Sequence, residues 1–389
     1  MKILFINSDC GIGSTGKICT DLAMALQNEG HTVRIAYGRD INNQYQDIAV
    51  QIGGKTDLYY HGLKARFFDK SGLGSRRATD RFIKWVKEYD PDIIHLHNIH
   101  GYYINIEILF DYLKRSQKRI LWTLHDCWAF TGHCAYFDMA NCYKWKNGCK
   151  GKCPCVKDYP KSMVSQANYN WEMKNDLFNS LNDMTIVTPS VWLTNLVKQS
   201  FLKKYPIRVV HNGIDTTVYY PTESRFRENY GLEKNRLLLG VAAVWDKRKG
   251  LSDFIRLASM IDDDTRIVLV GLNKDQLKTL PSNIVGIERT SSSQELAGIY
   301  TTADVFLNLT YEDNYPTVNI EAQTCDTPVI TYRTGGSIES VPANQVVEVG
   351  DLTSIINLIN GTALQTLHDN SFDKKYMIKK YIELYKNNR

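Results

Sequence analysis

The chain has 389 residues, of which 43% are hydrophobic and 23% charged, and its formal net charge is +5. That length exceeds one ordinary hydrophobic core, so two α/β domains are expected. The small positive balance tolerates an anionic partner without calling for nucleic acid, and no run approaches the roughly 20 apolar residues of a membrane span.

The N-terminus reads MKILFINSDCGIG. Its apolar run, Ile3 to Ile6, gives way at once to polar residues and glycines, which is not the pattern of an export leader. The reducing cytosol is therefore the expected compartment, where clustered cysteines point to metal or buried thiols before disulfides.

Strand-length runs rich in β-branched residues then recur. KILFIN, TVRIAYG, DIIHLH, RILWTLH, TIVTPS and IRVVHNG fill the first half. RLLLGVAA, RIVLVG, NIVGI, DVFLNLT, PVITYR and QVVEVG fill the second. Helical patterns lie between them, as at Lys17–Glu29 and Gln294–Ala303. Alternation of this kind predicts right-handed βαβ units and parallel sheets. Turn residues and a proline in NGIDTTVYYP break the pattern at Asn212–Pro221. The expected domains are 1–210 and 211–371, with an amphipathic helix at 372–389 packing back on the first.

In the first half, the turn after the first strand carries Gly11, Gly13 and Gly16 before a helix. Backbone amides there suit an anion or polar ligand, although a tight strand-to-helix turn explains the glycines equally well. It is not a Walker loop, because Ile18 stands at the hydroxyl position. His125 ends WTLH, at the carboxyl end of a strand, where parallel sheets place ligand-handling residues. It is a candidate for polarising a hydroxyl or stabilising charge, against a purely structural histidine.

The segment Leu63–Lys87 mixes eight basic residues with Phe67, Phe68, Phe82 and Trp85. It reads either as an anionic-membrane contact or as a solvated helix with its apolar side in the core. From Asp126 to Pro160 an insertion concentrates six cysteines and reads as a loop elaboration. Cys134, Cys142, Cys149 and Cys153 are candidate ligands of a tetrahedral structural zinc, with reduced packing thiols as the alternative, since no C-x-x-C pair is present.

In the second half, Lys247, Arg248 and Lys249 sit in VWDKRKG before a helix and suit a phosphate. LTYEDNYPTVNIEAQ follows a strand. The amides of Asn314, Tyr315, Thr317 and Val318 lie where a helix begins and suit a pyrophosphate. Glu321, one turn in, offers two oxygens to a ribose, and Glu312 and Asp313 lie at the loop that would meet a sugar.

In their order and spacing, the Gly-rich first turn, DIIHLHN, TLHDCW, VTPSVWL, HNGID, the Lys249–Gly250 pair, ELAGIYTTADVFLNLT and EDNYPTVNIEAQTCDTPV resemble the retaining glycosyltransferases of family four. The resemblance spans nearly the whole chain. It implies the GT-B fold, two Rossmann-like domains with parallel sheets facing across a cleft.

The resemblance implies a UDP- or GDP-sugar donor on the C-terminal domain and a glycan or lipid-linked acceptor on the N-terminal one. It implies retention without a catalytic metal, and work on exopolysaccharide, capsule or O-antigen, with the enzyme peripheral to the inner membrane face. Glu321 matches the second acid of the E-x7-E motif. Asp313, with Glu312 adjacent, falls on the first. Lys249 matches the phosphate-binding lysine, His125 the active-site histidine, and Gly13 lies in the loop facing the transferred sugar. Ala243, Val244 and Trp245 occupy the stretch where the family carries an arginine, so Lys247 or Arg248 takes that part.

Two other classes compete. A Rossmann oxidoreductase would use Gly11-x-Gly13-x-x-Gly16 with Asp40 as the ribose acid. A noncatalytic binding protein would use the basic and aromatic residues from Tyr143 to Lys157.

Overall fold

The computed structural model describes residues 1–361 and 363–386. The chain forms two compact units, Met1–Val210 with the C-terminal stretch from Ile378, and His211–Met377.

The first unit holds seven parallel strands: β1 (Lys2–Asn7), β2 (Thr32–Tyr37), β3 (Ala49–Gln51), β4 (Ile93–Leu96), β5 (Arg119–Thr123), β6 (Met184–Thr188) and β7 (Ile207–Val209), in the order β3-β2-β1-β4-β5-β6-β7. Its helices are α1 (Gly13–Asn28), α2 (Lys55–Phe68), α3 (Arg76–Tyr89), α4 (Ile106–Ser116), α5 (Ala167–Phe178) and α6 (Val191–Val197). The second unit has β8 (Arg236–Val241), β9 (Thr265–Val270), β10 (Ile284–Ile287), β11 (Val305–Asn308), β12 (Val329–Tyr332) and β13 (Val346–Val347), in the order β10-β9-β8-β11-β12-β13. With them come α7 (Phe226–Tyr230), α8 (Leu251–Ala258), α9 (Lys274–Leu277), α10 (Ser293–Thr302), α11 (Thr317–Thr324), α12 (Leu352–Gly361) and α13 (Lys374–Lys386).

The central strands are apolar on both faces because helices cover both sides of each sheet. Every residue of β4, β11 and β12 is buried. The strand order reverses once in each sheet, between β1 and β4 and between β8 and β11. In open parallel sheets, such a reversal opens a crevice beyond the carboxyl ends of the two strands. The loops after β1 and β4, and after β8 and β11, are therefore the places the topology reserves for ligands.

The insertion after β5 is not a loose elaboration. Trp128, Phe130, Phe137 and Trp145 are all buried in the same core as Phe110, Trp122 and Phe178. Short 3-10 turns at Trp128–Phe130 and Lys144–Asn147 shape it. Beneath it, the buried Lys174 ammonium donates to the carbonyls of Trp128 (2.8 Å) and Thr131 (3.1 Å) and lies 3.4 Å from the Trp128 ring centre. Burial depresses its pKa to about 7.

Helix α13 begins at Lys374, after a 3-10 turn at Asn370–Phe372. Its last turns belong to the first unit, where Tyr385 OH lies 2.6 Å from His95 Nδ1 and Tyr381 OH lies 3.0 Å from Thr123 Oγ1. The predicted helix at 372–389 extends past Lys386 into positions outside the described residues. Among the described residues no helix is long and apolar enough to cross a membrane.

Candidate active site

In the first unit the site residues stand where β1, β4 and β5 end. After β1, Gly11 and Gly13 adopt φ of 72° and 65°. At Gly11 a Cβ would press into the Tyr45 ring at 2.6 Å, so that turn requires glycine. At Gly13 a Cβ would meet nothing within 4 Å, so the backbone there faces open space. No side chain caps the start of α1, leaving its first-turn amides to another acceptor. Asn7 knits the edge together, donating to the Asp9 carbonyl at 2.8 Å and accepting from the Asn98 amide at 3.2 Å.

His125, two residues past β5, stacks on His97 from the end of β4, with ring centres 5.2 Å apart and planes 17° apart. His125 Nε2 and His97 Nδ1 share a hydrogen bond of 2.9 Å. Burial lowers the His125 pKa to about 4, with Asp126 opposing the shift and His100 adding to it. His125 is thus a neutral imidazole at physiological pH, suited to hydrogen bonding rather than to carrying charge. Beside it, His100 Nε2 lies 3.0 Å from Asp126 Oδ2, and His100 Nδ1 lies 3.0 Å from Tyr159 OH. Burial works to raise the Asp126 pKa, but His100 and the Trp128 amide outweigh it and the net shift is downward.

Sequence reading singled out His125 and missed His97, His100 and Tyr159. The signal for two of them was available, because HLHNIH ends β4 at the sheet reversal. Tyr159 comes from the far end of the insertion, and only folding brings it here.

In the second unit, the loop after β8 meets the loop after β11. Asp246 caps the 3-10 turn Lys247–Lys249, accepting the Lys249 amide at 3.2 Å. Gly250 follows at φ 74°, with its Cα so close to the Leu309 carbonyl that a Cβ would stand 2.1 Å from that oxygen. Arg248 Nη1 donates to the Glu312 carbonyl at 2.7 Å, and the Arg248 carbonyl accepts from the Tyr311 amide at 2.8 Å. Lys249 Nζ reaches Asp313 Oδ2 at 2.5 Å, and Arg248 Nη1 lies 3.9 Å from the same oxygen.

Pro316 precedes α11 and no side chain caps the helix; of its first-turn amides, that of Asn319 donates to the Pro316 carbonyl at 3.2 Å. Asn314, Tyr315 and Glu312 are buried. The Tyr315 ring stacks on His211 at 4.8 Å and 8°, and its carbonyl accepts from Asn212 at 3.2 Å. That side chain is committed to packing, and only its backbone is available to a ligand. Glu321, half-buried on α11, accepts from Tyr300 OH at 3.1 Å.

The loop after β12 also closes on this edge, through residues that sequence reading did not nominate. Thr334 Oγ1 donates to the Thr310 carbonyl at 2.9 Å. Gly335, at φ 52°, passes so near Asp313 that a Cβ would stand 1.8 Å from its carbonyl oxygen. The structure therefore gathers Arg248, Lys249, Glu312, Asp313, Asn314 and Thr317 on one sheet edge, with Glu321 a turn into α11. Gly13 and His125 lie on the carboxyl edge of the other sheet.

The zinc expectation for Cys134, Cys142, Cys149 and Cys153 is not supported. All nine cysteines are free thiols, and among the described residues no group of three or more His, Cys, Asp or Glu side chains is arranged to hold a metal. The four pack instead against the aromatic core of the insertion. Burial pushes the Cys149 thiol up to about 11, although the Gly132 amide donates to its sulfur at 3.3 Å.

Comparison with known proteins gives the family. Residues 15–218 match the family described as Glycosyltransferase Family 4, and residues 222–376 match Glycosyl transferases group 1. Over the full length of both chains, the protein is 23% identical to the putative colanic acid biosynthesis glycosyl transferase WcaC of Escherichia coli K12. It is 24% identical to the alpha-galactosylglucosyldiacylglycerol synthase of Streptococcus pneumoniae over 39% of this chain and 44% of that one. In fold it resembles Anabaena Alr3699/HepE in complex with UDP, at a TM-score of 0.67 and 16% identity, covering 99% of each chain. A sucrose-phosphate synthase from Thermosynechococcus elongatus gives 0.66 at 15% identity, covering 99% of this chain and 98% of that one. These matches favour neither the oxidoreductase nor the noncatalytic alternative. Two parallel-sheet α/β units and family matches along nearly the whole chain lead to one assignment: the protein is a glycosyltransferase, a member of glycosyltransferase family 4 with the GT-B fold.

Proposed function

We propose that the enzyme transfers a sugar from a nucleotide-sugar donor, with retention and without a catalytic metal, to a glycan or lipid-linked acceptor in the assembly of a cell-surface polysaccharide. The observation that supports this reading is the meeting of the Arg248–Lys249 loop with the Glu312–Asp313 loop, which leads into the start of α11 and so brings two cations, an acid and a helix N-terminus to one sheet edge. A leaving nucleotide diphosphate gathers negative charge as the glycosidic bond breaks. Lys249, Arg248 and the α11 amides stabilise it, the part a metal plays in other transferases. Glu321 takes the ribose hydroxyls and Asp313, with Glu312, meets the donor sugar. On the other unit, Gly13 faces the transferred sugar and neutral His125 hydrogen-bonds a hydroxyl at the reaction centre. The donor phosphate itself accepts the acceptor's proton on the same face.

The full-length similarity to WcaC, named for colanic acid biosynthesis, supports the polysaccharide reading. HepE, solved with UDP and with UDP-glucose, supports a nucleotide-sugar donor. Calorimetric titration of UDP, GDP and NAD, followed by a transfer assay with a panel of UDP- and GDP-sugars in EDTA, tests it. Binding of one nucleoside diphosphate and transfer with retained configuration are expected. Binding of NAD alone, or transfer abolished by EDTA and restored by a divalent cation, would overturn the respective part.

A further inference from the structure

Helix α2 turns its aromatic residues away from the protein. At 100° per residue, buried His61 and Ala65 share one face with Leu58, while Tyr59, Tyr60, Leu63 and Phe67 fall on the opposite face. Tyr59 is 65% exposed, Tyr60 70%, Phe67 47% and Phe68 59%. The neighbouring α3 does the reverse: Phe82, Ile83 and Val86 are buried, Trp85 stacks between Phe82 and Tyr89, and the charges face out. The basic and aromatic segment Leu63–Lys87 therefore divides in two, and only its α2 part offers rings to the surroundings.

Three further observations say what the stripe meets. First, exposed cations border it on both sides, Lys64 on one flank and Lys55 and Arg66 on the other. The helix's one acid, Asp57, is drawn off the stripe to accept the Gly54 amide at 3.0 Å. Second, another segment with exposed apolar side chains is fastened to the helix backbone. The Met163 amide donates to the Arg66 carbonyl at 2.7 Å, and Met163 and Val164 are 57% and 44% exposed. Third, α2 is tied to the carboxyl edge of the first sheet. His61 Nε2 accepts the Gly72 and Gly74 amides at 3.0 and 3.1 Å, and His61 Nδ1 lies 3.0 Å from Ser75 Oγ, which donates to the Tyr102 carbonyl beyond β4. Rings at the centre, cations at both borders and no acid in the stripe are the pattern of an interfacial helix on an anionic lipid surface.

We propose that α2, with Met163 and Val164, docks the enzyme onto anionic phospholipid, seating its rings at headgroup depth and its lysines and arginine on the phosphates. This deepens the proposed function, since a lipid-linked acceptor would then reach the edge carrying His125, but the docking itself needs no sugar transfer. The test is flotation of the whole protein with phosphatidylcholine vesicles, with and without phosphatidylglycerol, at low and high salt. The protein should float only with the anionic vesicles and only at low salt. Lys64→Glu with Arg66→Glu should weaken binding roughly 10-fold or more. Tyr60→Ser with Phe67→Ser should weaken it comparably, with thermal stability and nucleoside diphosphate binding unchanged because these residues are exposed. Failure of the wild-type protein to float, or flotation of both variants like wild type, would overturn the proposal. So would a dimer in sedimentation that Tyr60→Ser with Phe67→Ser dissociates while vesicles go unbound, since a second copy would then cover the stripe. Vesicle binding without any sugar transfer would leave this inference standing and remove the function it serves.

Discussion

Lys249 and Asp313, from the loops after β8 and β11, meet at 2.5 Å across the strand reversal of the second sheet. The cation assigned to the donor phosphates and the acid assigned to the donor sugar are thus already a pair. Arg248 approaches the same carboxylate at 3.9 Å and fastens to the neighbouring Glu312 carbonyl. A nucleotide diphosphate entering this edge must share Lys249 with Asp313.

Lys249→Ala removes a charge-assisted contact and should weaken nucleoside diphosphate binding roughly 10- to 100-fold, as should Glu321→Ala. Asp313→Asn removes the competing charge, so diphosphate binding should hold or tighten while transfer slows. Calorimetry beside a transfer assay checks all three. A loss of diphosphate affinity in Asp313→Asn as large as in Lys249→Ala would place Asp313 on the nucleotide instead.

His125→Ala should leave diphosphate affinity near wild type and lower kcat roughly 100-fold. His97→Ala, which removes the ring stacked on His125 and its 2.9 Å hydrogen bond, should lower kcat less and leave the KM for donor unchanged. Because burial holds His125 near 4, its ionisation should contribute no step to the kcat profile between pH 6 and 8. A kcat step near pH 6.5 that disappears in His125→Ala would contradict this.

Acid should weaken the first unit early. His61 is buried and its pKa falls from 6.5 to about 4, chiefly through desolvation. A folded-state pKa below the unfolded one means that stability is full above pH 6.5. It drains away as pH falls toward 4, because the unfolded chain then binds the proton first. For His61 alone the loss approaches about 3 kcal/mol, and His125 adds in the same direction. Denaturant melts from pH 7.5 to 4.5 should show this slope, and His61→Gln should flatten it while lowering stability at pH 7.5. An unchanged slope in His61→Gln would mean that other groups set it.

Gly250→Ala should destabilise the second unit. The left-handed φ costs a side chain about 1 kcal/mol, and the new Cβ would sit 2.1 Å from a backbone oxygen that cannot move without shifting β11's loop. Gly231, at φ 65° with open space around it, carries only the first cost. Hydrogen exchange of the second unit should therefore quicken more in Gly250→Ala than in Gly231→Ala, and equal effects would refute the clash.

The two parallel sheets were legible because burial on both faces writes itself as continuous β-branched runs, and the helices between them leave no other topology. The loop carrying Lys249 and the first turns of α11 carrying Glu321 were legible for a related reason: charge beside a helix start is a local pattern. The zinc expectation for the cysteine cluster found no support. Cys134, Cys142, Cys149 and Cys153 have a plausible ligand count, but count says nothing of whether sulfurs converge. Here the four lie in one core with Trp145, Phe137 and Phe130.

By itself, then, the order of residues determined the α/β architecture, the family and which loops would carry charge, because these depend on local periodicity and short-range motifs. Only the tertiary structure decided that His97 lies against His125, that Gly335 presses on Asp313, and that Tyr159 returns to His100. It alone decided that α2 faces its rings outward while α3 buries its own. Each of these is a contact between segments distant in sequence, or a choice of which helix face meets the core. Neither is encoded in a local pattern, since basic and aromatic residues at similar spacing serve both helices.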